Sequence, residues 1–223
     1  MHPLRTLRFA LAAASLVVAS SAFASVAAPV AGVEYTALAA PQPVPAGKKV
    51  EVIEFFMYHC PHCNALEPQL EEWVKKQGDN IVLKRVHFPS TGPSDPEAHL
   101  YLTLEAMGKL PEMHAKVFHA VHVERVRLNT DETILAWAVK NGLDRTKFLD
   151  AWNSFGVQTK LKRLGATVKA YKVDFAPVLI IDGKYMTAPS LVAASDKTRD
   201  EQQLFRSTLQ VADFLVAKAA RTK

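Results

Sequence analysis

The sequence is poor in cysteine: its 223 residues contain two, Cys60 and Cys63. A structural zinc site generally needs four ligands, often supplied as two pairs, and this chain has no second cysteine pair. Haem attachment of the c type requires histidine directly after the second cysteine, where Asn64 stands. A disulfide that closes so short a loop restricts the unfolded chain little. The pair is therefore better explained by redox chemistry than by metal binding, haem attachment or structural cross-linking.

Beyond its first residues, the sequence also lacks any apolar run long enough to span a membrane. It has no cluster of Lys and Arg interleaved with aromatic residues, which argues against nucleic-acid binding. Hydrophobic residues make up 49% and charged residues 22%, ordinary values that allow a globular core. The length suits one domain, or one domain with a sizeable insertion.

Residues 1–24 have the layout of a secretory signal peptide. Two arginines form a basic start, an apolar run begins at Phe9, and Ala22-Phe23-Ala24 is a small-x-small cleavage pattern. We predict cleavage after Ala24, with a retained membrane anchor as the alternative. Removal of this segment takes away two arginines and no acid, so the formal charge falls from +5 to +3. Export places the mature protein in an oxidising compartment, the bacterial periplasm.

Hydrophobic periodicity predicts an α/β chain: strand, helix, strand, a block of helices, a hairpin and a last helix. Strands are expected at 33–38, 49–58, 80–88, 178–181 and 184–187. Helices are expected from near Cys60, with Pro68 inside, and at 96–107, 111–124, 131–141, 144–154, 157–171 and 200–219. Without the middle block, this order is that of a thioredoxin-like domain. The fold class is therefore thioredoxin-like with a helical insertion domain.

This pattern divides the chain into an extended segment at 25–47, a thioredoxin-like domain at 48–92 and 173–223, and an inserted helical domain at 93–172. Asp182-Gly183 predicts the tight turn of the hairpin. Helix breaks are expected at Gly108, 127–130, Gly142 and Gly156, and Asp131 and Asp144 are expected N-caps.

The sequence Cys60-Pro61-His62-Cys63 lies where a buried strand ends and a helix begins, and all four residues are catalytic candidates. The unpaired N–H groups and positive dipole end of that helix would stabilise a Cys60 thiolate. His62 adds a donor or a positive charge, and His59 could help from the other side. A stabilised thiolate favours the reduced form, so the disulfide form is an oxidant. Cys63, one turn into the helix, is expected to be more buried.

Two further positions are candidates. Glu54 lies in an apolar strand six residues before Cys60; buried, it would have a raised pKa and could pass protons to Cys63. The alternative is a Glu that faces solvent or pairs with Lys. Pro177, after Ala176, opens the late strand and could form a cis peptide bond, leaving neighbouring backbone groups free to pair with an extended substrate. The alternative is an ordinary proline at a strand start.

Three histidines, His114, His119 and His122, share one predicted helix. The spacing of His119 and His122 allows a common face and hence metal binding. Exposed helix histidines are the favoured interpretation, because no acid–His spacing supports a metal site. No metal and no cofactor is expected.

The motif Glu54-Phe55-Phe56 followed by Cys60-Pro61-His62-Cys63 closely resembles the active-site segment of the DsbA family of periplasmic dithiol oxidases. Pro68 and Ala176-Pro177 ahead of the hairpin match other features of that family, over roughly residues 34–220. The resemblance implies a thioredoxin fold with a helical cap. Ala176 departs from the Val or Thr that relatives often carry there.

The resemblance also implies a function: oxidation of newly exported, cysteine-containing polypeptides through a mixed disulfide, and reoxidation by a quinone-linked membrane partner of the DsbB type. Ala176 and Pro177 are the implied substrate-binding positions, and a monomer is expected. The nearest alternative is a disulfide isomerase or reductase. Only about 20 residues lie between the predicted cleavage site and the first confident strand, too few for the dimerisation domain that such isomerases carry. A non-catalytic binding module is a more distant alternative, against which both cysteines argue.

Overall fold

The computed structural model describes residues 28–45 and 47–222, so the predicted signal segment lies outside the described residues. In this part of the chain, one sheet has the strand order β1-β5-β4-β2-β3. Its strands are β1 (Tyr35–Ala37), β2 (Val50–Phe56), β3 (Ile81–His87), β4 (Val178–Ile181) and β5 (Tyr185–Thr187). The helices are α1 (Pro61–Gln77), α2 (Pro96–Ala106), α3 (Leu110–His122), α4 (Asp131–Lys140), α5 (Arg145–Trp152), α6 (Phe155–Tyr171), α7 (Pro189–Val192) and α8 (Glu201–Ala220).

The central strand β2 is buried along its whole length, as its nearly continuous apolar sequence predicts. It runs parallel to β3 and antiparallel to β4. Val50 and Val52 pack in a core with residues of α1 and α8. Ile53 and Phe55 point to the other face, where they pack with residues from the end of α6. The sheet is therefore covered by helices on both faces, and β2 carries the chain through its centre to the reactive motif.

Helices α2 to α6 fill the interval between β3 and β4, where the sequence predicts a block of helices. Their buried residues, such as Leu104, Met113 and Phe148, form one core that also contains Tyr58, Cys60 and several neighbours. The predicted α/β architecture with inserted helices is confirmed. The inserted helices thus pack directly against the segment that holds the cysteines.

Two local predictions, one N-cap residue and one helix break, are wrong. Asp131 is not an N-cap but the first residue of α4. The side chain of Thr130 accepts from the N–H of Thr133, and the Thr133 side chain accepts from the N–H of Thr130, so this capping box places the N-cap one residue before Asp131. Gly156 does not break a helix but lies inside α6, because Ser154 caps that helix and the break falls just before it. The short helix α7 was also not predicted from the sequence.

The other local predictions agree with the structure. Asp144 caps α5 through the N–H of Lys147. Asp182 and Gly183 both have positive φ, 53° and 61°, as a tight hairpin turn between β4 and β5 requires. Over the described residues, none of the helices combines the length and apolarity needed to cross a membrane.

Candidate active site

The end of β2 and the start of α1 place Cys60 at a helix N-cap. Its φ and ψ are −77° and 117°, and Pro61 occupies the first helical position, where a missing N–H costs nothing. The backbone N–H of Cys63 donates to Cys60 Sγ at 3.4 Å. The sulfur thus takes the place of a capping oxygen. A negative charge on it would meet the unpaired N–H groups and the positive end of the α1 dipole.

The two thiols have very different environments. A hydrogen bond from the Cys63 thiol, together with the N–H groups of Cys63 and His62 and the charge of His62, lowers the pKa of Cys60 to about 6 against the opposing effect of burial. Burial raises the pKa of Cys63 far above its usual range, and the neighbouring Cys60 adds to this rise. Cys60 is 6% exposed and Cys63 is fully buried. Cys60 is therefore the thiol that ionises, while Cys63 stays protonated.

The start of β4 lies beside the motif because β4 runs antiparallel to β2 and pairs Val178 with Phe55. The Ala176–Pro177 peptide bond is cis. Cys60 Sγ lies 3.7 Å from the carbonyl oxygen of Ala176. The substrate-binding candidates Ala176 and Pro177 thus adjoin the reactive sulfur.

Each histidine next to the reactive cysteine contacts a carboxylate from a distant element. His59 Nδ1 lies 2.6 Å from Glu97 Oε2 of α2. His62 Nδ1 contacts Glu201 Oε1 in the first turn of α8, and both of these side chains are largely exposed. The sequence analysis missed both glutamates, since nothing in their local sequence indicates a contact with residues 38 and 139 positions away.

Behind the cysteines, one arginine contacts three carboxylates. Arg85 is the cross-strand partner of Glu54 in the β2–β3 pair, and its Nε donates to Glu54 Oε2 at 2.9 Å. Its Nη2 donates to Glu67 Oε1 at 2.7 Å and to Glu71 Oε1 at 2.6 Å. One positive charge cannot balance three negative ones, so this group favours keeping a proton.

Glu54 and Glu67 are the two most buried of the three acids, and they hold a proton most readily. Burial and the charge of Glu67 raise the pKa of Glu54 to about 7, against the opposing charges of Arg85 and His114. Burial likewise raises the pKa of Glu67 to about 7. Glu54 is fully buried, so the solvent-facing alternative is wrong; it is ion-paired, but with Arg85 and not with Lys. Glu67 was missed, although its position four residues after Cys63 on the same helix face could have indicated it.

Helix α3 carries these three histidines, but His119 alone of the three is exposed, so the expectation of exposed histidines is wrong for His114 and His122. His114 is buried, and its Nδ1 lies 2.9 Å from the hydroxyl of Tyr58. His122 Nε2 donates to the carbonyl oxygen of Tyr58 at 2.7 Å. His119 is exposed and contacts Glu124. The helical periodicity placed these residues on one helix but could not show that one of its faces packs against the segment before Cys60. Across residues 28–45 and 47–222, no group of three or more potential ligands could hold a metal ion.

Comparisons with known proteins assign the chain to a family. Residues 51–199 match the model of the DSBA-like thioredoxin domain family. The chain is 38% identical over 207 residues to a thiol:disulfide interchange protein DsbA from Burkholderia cepacia, covering 92% of each chain. It is 32% identical over 188 residues to the DsbA of Pseudomonas aeruginosa, covering 84% of each.

Solved structures show the same likeness. The crystal structure of Pseudomonas aeruginosa DsbA superimposes with a TM-score of 0.76 at 32% identity, over 87% of this chain and 97% of that one. The oxidoreductase DsbA of Xylella fastidiosa has a TM-score of 0.74 at 25% identity, over 87% and 99%. The likeness extends over the sheet and the inserted helices alike.

Proposed function

The chain belongs to the DSBA-like thioredoxin domain family and is a thiol:disulfide oxidoreductase, and on that premise we propose that it is a periplasmic dithiol oxidase. It donates its Cys60–Cys63 disulfide to newly exported polypeptides. Family membership agrees with the resemblance noted in the sequence. The oxidising direction is supported by one observation above the others: the Cys60 sulfur caps the N-terminus of α1 and accepts from the N–H of Cys63, while the Cys63 thiol is fully buried. This placement lowers the pKa of Cys60 and raises that of Cys63.

The stabilised thiolate makes the reduced enzyme the favoured form. A thiol with a pKa of about 6 is mostly ionised at pH 7, whereas an unperturbed cysteine is mostly protonated. This difference stabilises the reduced state at pH 7 by about 1.4 kcal/mol, which corresponds to about 30 mV in the potential of a two-electron couple. The disulfide form is the stronger oxidant by that amount.

The exchange begins when a substrate thiolate attacks Cys60 Sγ of the oxidised enzyme. The Cys60–Cys63 bond breaks, a mixed disulfide forms, and Cys63 leaves as a thiolate that takes a proton. A second substrate thiolate then attacks the substrate sulfur, and Cys60 leaves as a stable thiolate. The substrate has lost two electrons and two protons. The enzyme has gained the two electrons and one of the protons, and the other proton enters solvent.

Glu54 is suited to supply the proton that Cys63 takes up. Its pKa of about 7 keeps it partly protonated at neutral pH, and its negative charge raises the pKa of Cys63, so the two groups interact electrostatically. Arg85 holds the ionised form of Glu54 after the proton has left. The buried carboxyl thus supports the proton-relay role.

Substrate would lie along the start of β4. A cavity of about 320 Å³ adjoins the motif, with His62, Ala176, Pro177 and Leu204 among its lining residues. Its largely apolar walls suit side chains of an extended or unfolded segment, while the backbone next to Pro177 offers pairing groups.

The redox cycle closes when a quinone-linked membrane partner of the DsbB type removes two electrons and restores the Cys60–Cys63 disulfide. The enzyme acts as a monomer and needs no cofactor of its own. The predicted signal segment at 1–24 directs it to the periplasm, where such partners and unfolded exported chains occur together.

The potential of the Cys60–Cys63 pair, measured in glutathione buffers, tests the proposal. We expect a value more oxidising than the roughly −270 mV of thioredoxin. Cys60→Ser should abolish thiol oxidation. A thioredoxin-like potential, or stronger isomerisation of a scrambled substrate than oxidation of a reduced one, would instead assign the chain to the isomerase or reductase class.

A further inference from the structure

Glu97, which is not in the redox motif, holds the residue directly before Cys60. Its Oε2 accepts from His59 Nδ1 at 2.6 Å and from the His59 backbone N–H at 3.2 Å. His87 Nε2 lies 3.7 Å from the same oxygen. The Glu97 side chain is 12% exposed, although it comes from α2, far along the chain. His59 and Glu97 therefore form a partly buried ion pair between the redox motif and α2.

Several charges near this pair favour its ionised form. Glu97 lies in the first turn of α2, where the helix dipole stabilises a carboxylate. Burial opposes its ionisation, but the hydrogen bond from His59 and the charge of that ring lower the pKa of Glu97 to about 2. The hydrogen bond to Glu97 raises the pKa of His59, with smaller contributions from the charges of Asp95 and Cys60. The ring of His59 is thus hydrogen-bonded to Glu97 and interacts electrostatically with Cys60, the next residue in the chain.

We propose that Glu97 is a positioning residue of the disulfide exchange, which fixes the ring of His59, the residue next to Cys60, and favours its positively charged form. This inference rests on the proposed function, because it concerns the same thiolate. In the release step, Cys60 departs as an anion, and a positive charge on the neighbouring residue, His59, stabilises that departing charge. Glu97 acts through His59 and does not itself touch the reacting atoms.

The direct and indirect effects of Glu97 on Cys60 have opposite signs, which makes the inference testable. A carboxylate acting directly through space destabilises a nearby thiolate, so its removal would lower the pKa of Cys60. A carboxylate acting through His59 holds a positive charge close to that thiolate, so its removal would raise the pKa of Cys60. A purely structural role of Glu97 would change stability alone.

The other histidine–glutamate pair near Cys60, His62 with Glu201, does not support the same inference. Both side chains are largely exposed, 65% and 44%, so water and salt screen their charges. The His59 side chain is 45% exposed, but its partner Glu97 is mostly buried and receives two hydrogen bonds from His59. The inference is therefore confined to Glu97.

The test is a titration of the Cys60 thiolate, followed by ultraviolet absorbance, in the purified reduced protein and in four variants. These are Glu97→Gln, His59→Gln, the double variant, and Glu105→Gln as a control. Glu105 lies on the same helix and pairs with Lys160 at 2.7 Å, so its variant removes an equal charge two turns away. The redox potential and thermal unfolding of each variant are measured in parallel.

We expect Glu97→Gln to raise the pKa of Cys60 by ~0.5 unit, a modest shift because His59 is half exposed. That is about a threefold loss of thiolate stabilisation, or ~15 mV towards a less oxidising potential. Glu105→Gln should change neither quantity. In the His59→Gln background, the same Glu97→Gln change should lower the pKa of Cys60 or leave it unaltered.

Two results would overturn the inference: a fall or no change in the pKa of Cys60 on Glu97→Gln alone, or the same rise in both backgrounds. If Glu97→Gln does not fold, His59→Gln is the deciding variant. The inference requires that this variant raise the pKa of Cys60 while Glu97 remains, and an unchanged or lower pKa would overturn it. The proposed function fails separately, if the unmodified protein already titrates like free cysteine.

Discussion

At the scale of single residues, the distribution of charge around Glu54 is the least expected feature of the site. Glu54, Glu67 and Glu71 share the one guanidinium of Arg85, and the first two have pKa values near 7. A carboxyl whose pKa is raised on folding binds protons more strongly in the folded state than in the unfolded chain. Its contribution to stability therefore becomes less favourable as the pH rises from about 4.5 to about 7.

This loss of stability with rising pH predicts the effect of Glu54→Gln. Below about pH 4.5 the carboxyl is protonated in both states and the substitution should be nearly neutral. At pH 7 to 8, Gln avoids the cost of a buried charge, and Arg85 keeps two carboxylate partners. We expect the free energy of unfolding to rise there by about 1–3 kcal/mol, measured by urea unfolding over that pH range.

The same variant should slow disulfide exchange, because Gln cannot supply a proton to Cys63. Glu72→Gln, which loses an exposed Glu on α1 paired with Lys76, is the matched control and should change neither stability nor rate appreciably. Unchanged exchange kinetics in Glu54→Gln would dismiss the relay. A stability gain independent of pH would contradict the raised pKa of Glu54.

At the scale of elements, the β4–β5 hairpin depends on one residue. Gly183 has φ of +61°, and a Cβ built there would lie 2.3 Å from the backbone oxygen of Gln42. The N–H of Gln42 in turn donates to the carbonyl of Gly183 at 2.8 Å. The hairpin turn therefore packs backbone to backbone against the extended segment before β2, and there is no room for a side chain at position 183.

Gly183→Ala should accordingly destabilise the protein, by about 1–3 kcal/mol from the positive φ and the backbone clash combined. Gly165→Ala is the matched control, since Gly165 lies inside α6 with open space around it and no positive φ. That variant should gain up to about 1 kcal/mol from helix propensity. Thermal unfolding of both variants would test this, and equal effects of one sign would contradict it.

Elements were predictable from sequence where local chemistry decides them. The Asp182-Gly183 turn and the Asp144 cap needed no tertiary information, and the apolar run of β2 indicated a strand covered on both faces. Sequence signals gave the wrong residue where two neighbouring residues could each end or cap a helix. Thr130 displaced Asp131 as a cap because Thr133 bonds back to it, and Gly156 is accommodated in α6 because Ser154 caps the helix ahead of it.

At the scale of the molecule, Tyr58 joins the inserted helices to the redox motif. It is fully buried two residues before Cys60. Its N–H donates to His87 Nε2 at 3.2 Å, its carbonyl accepts from His122, and its hydroxyl bonds to His114. Strand β3 and helix α3 thus fix the backbone that presents the reactive cysteine.

We therefore expect Tyr58→Phe to lower the free energy of unfolding by about 1–2 kcal/mol, because His114 Nδ1 would be left buried without a partner. His119→Ala, an exposed change on the same helix, should stay within about 0.5 kcal/mol. Urea unfolding of the two variants measures the difference. An unaltered stability of Tyr58→Phe would show that this hydrogen bond contributes nothing to holding α3 in place.

The candidate site was predictable to the extent that its residues adjoin in sequence. Cys60, His62 and Cys63 follow from one motif at the end of one strand. Glu97, Arg85 and His114 could not be found in this way, since their roles arise when the sheet register and the packing of α2 and α3 bring them to that motif. The division of the chain into domains and the signal segment remain predictions from the sequence alone.

The central claim is that the folded protein stabilises the Cys60 thiolate, and the direct measurement is the pH titration of that thiolate in the reduced protein by ultraviolet absorbance. Cys60→Ser identifies the signal, because Cys63 should not ionise in the same range. We predict a transition with a midpoint at about pH 6 that is absent from Cys60→Ser. A midpoint near 8.5, the value of free cysteine, would contradict the account.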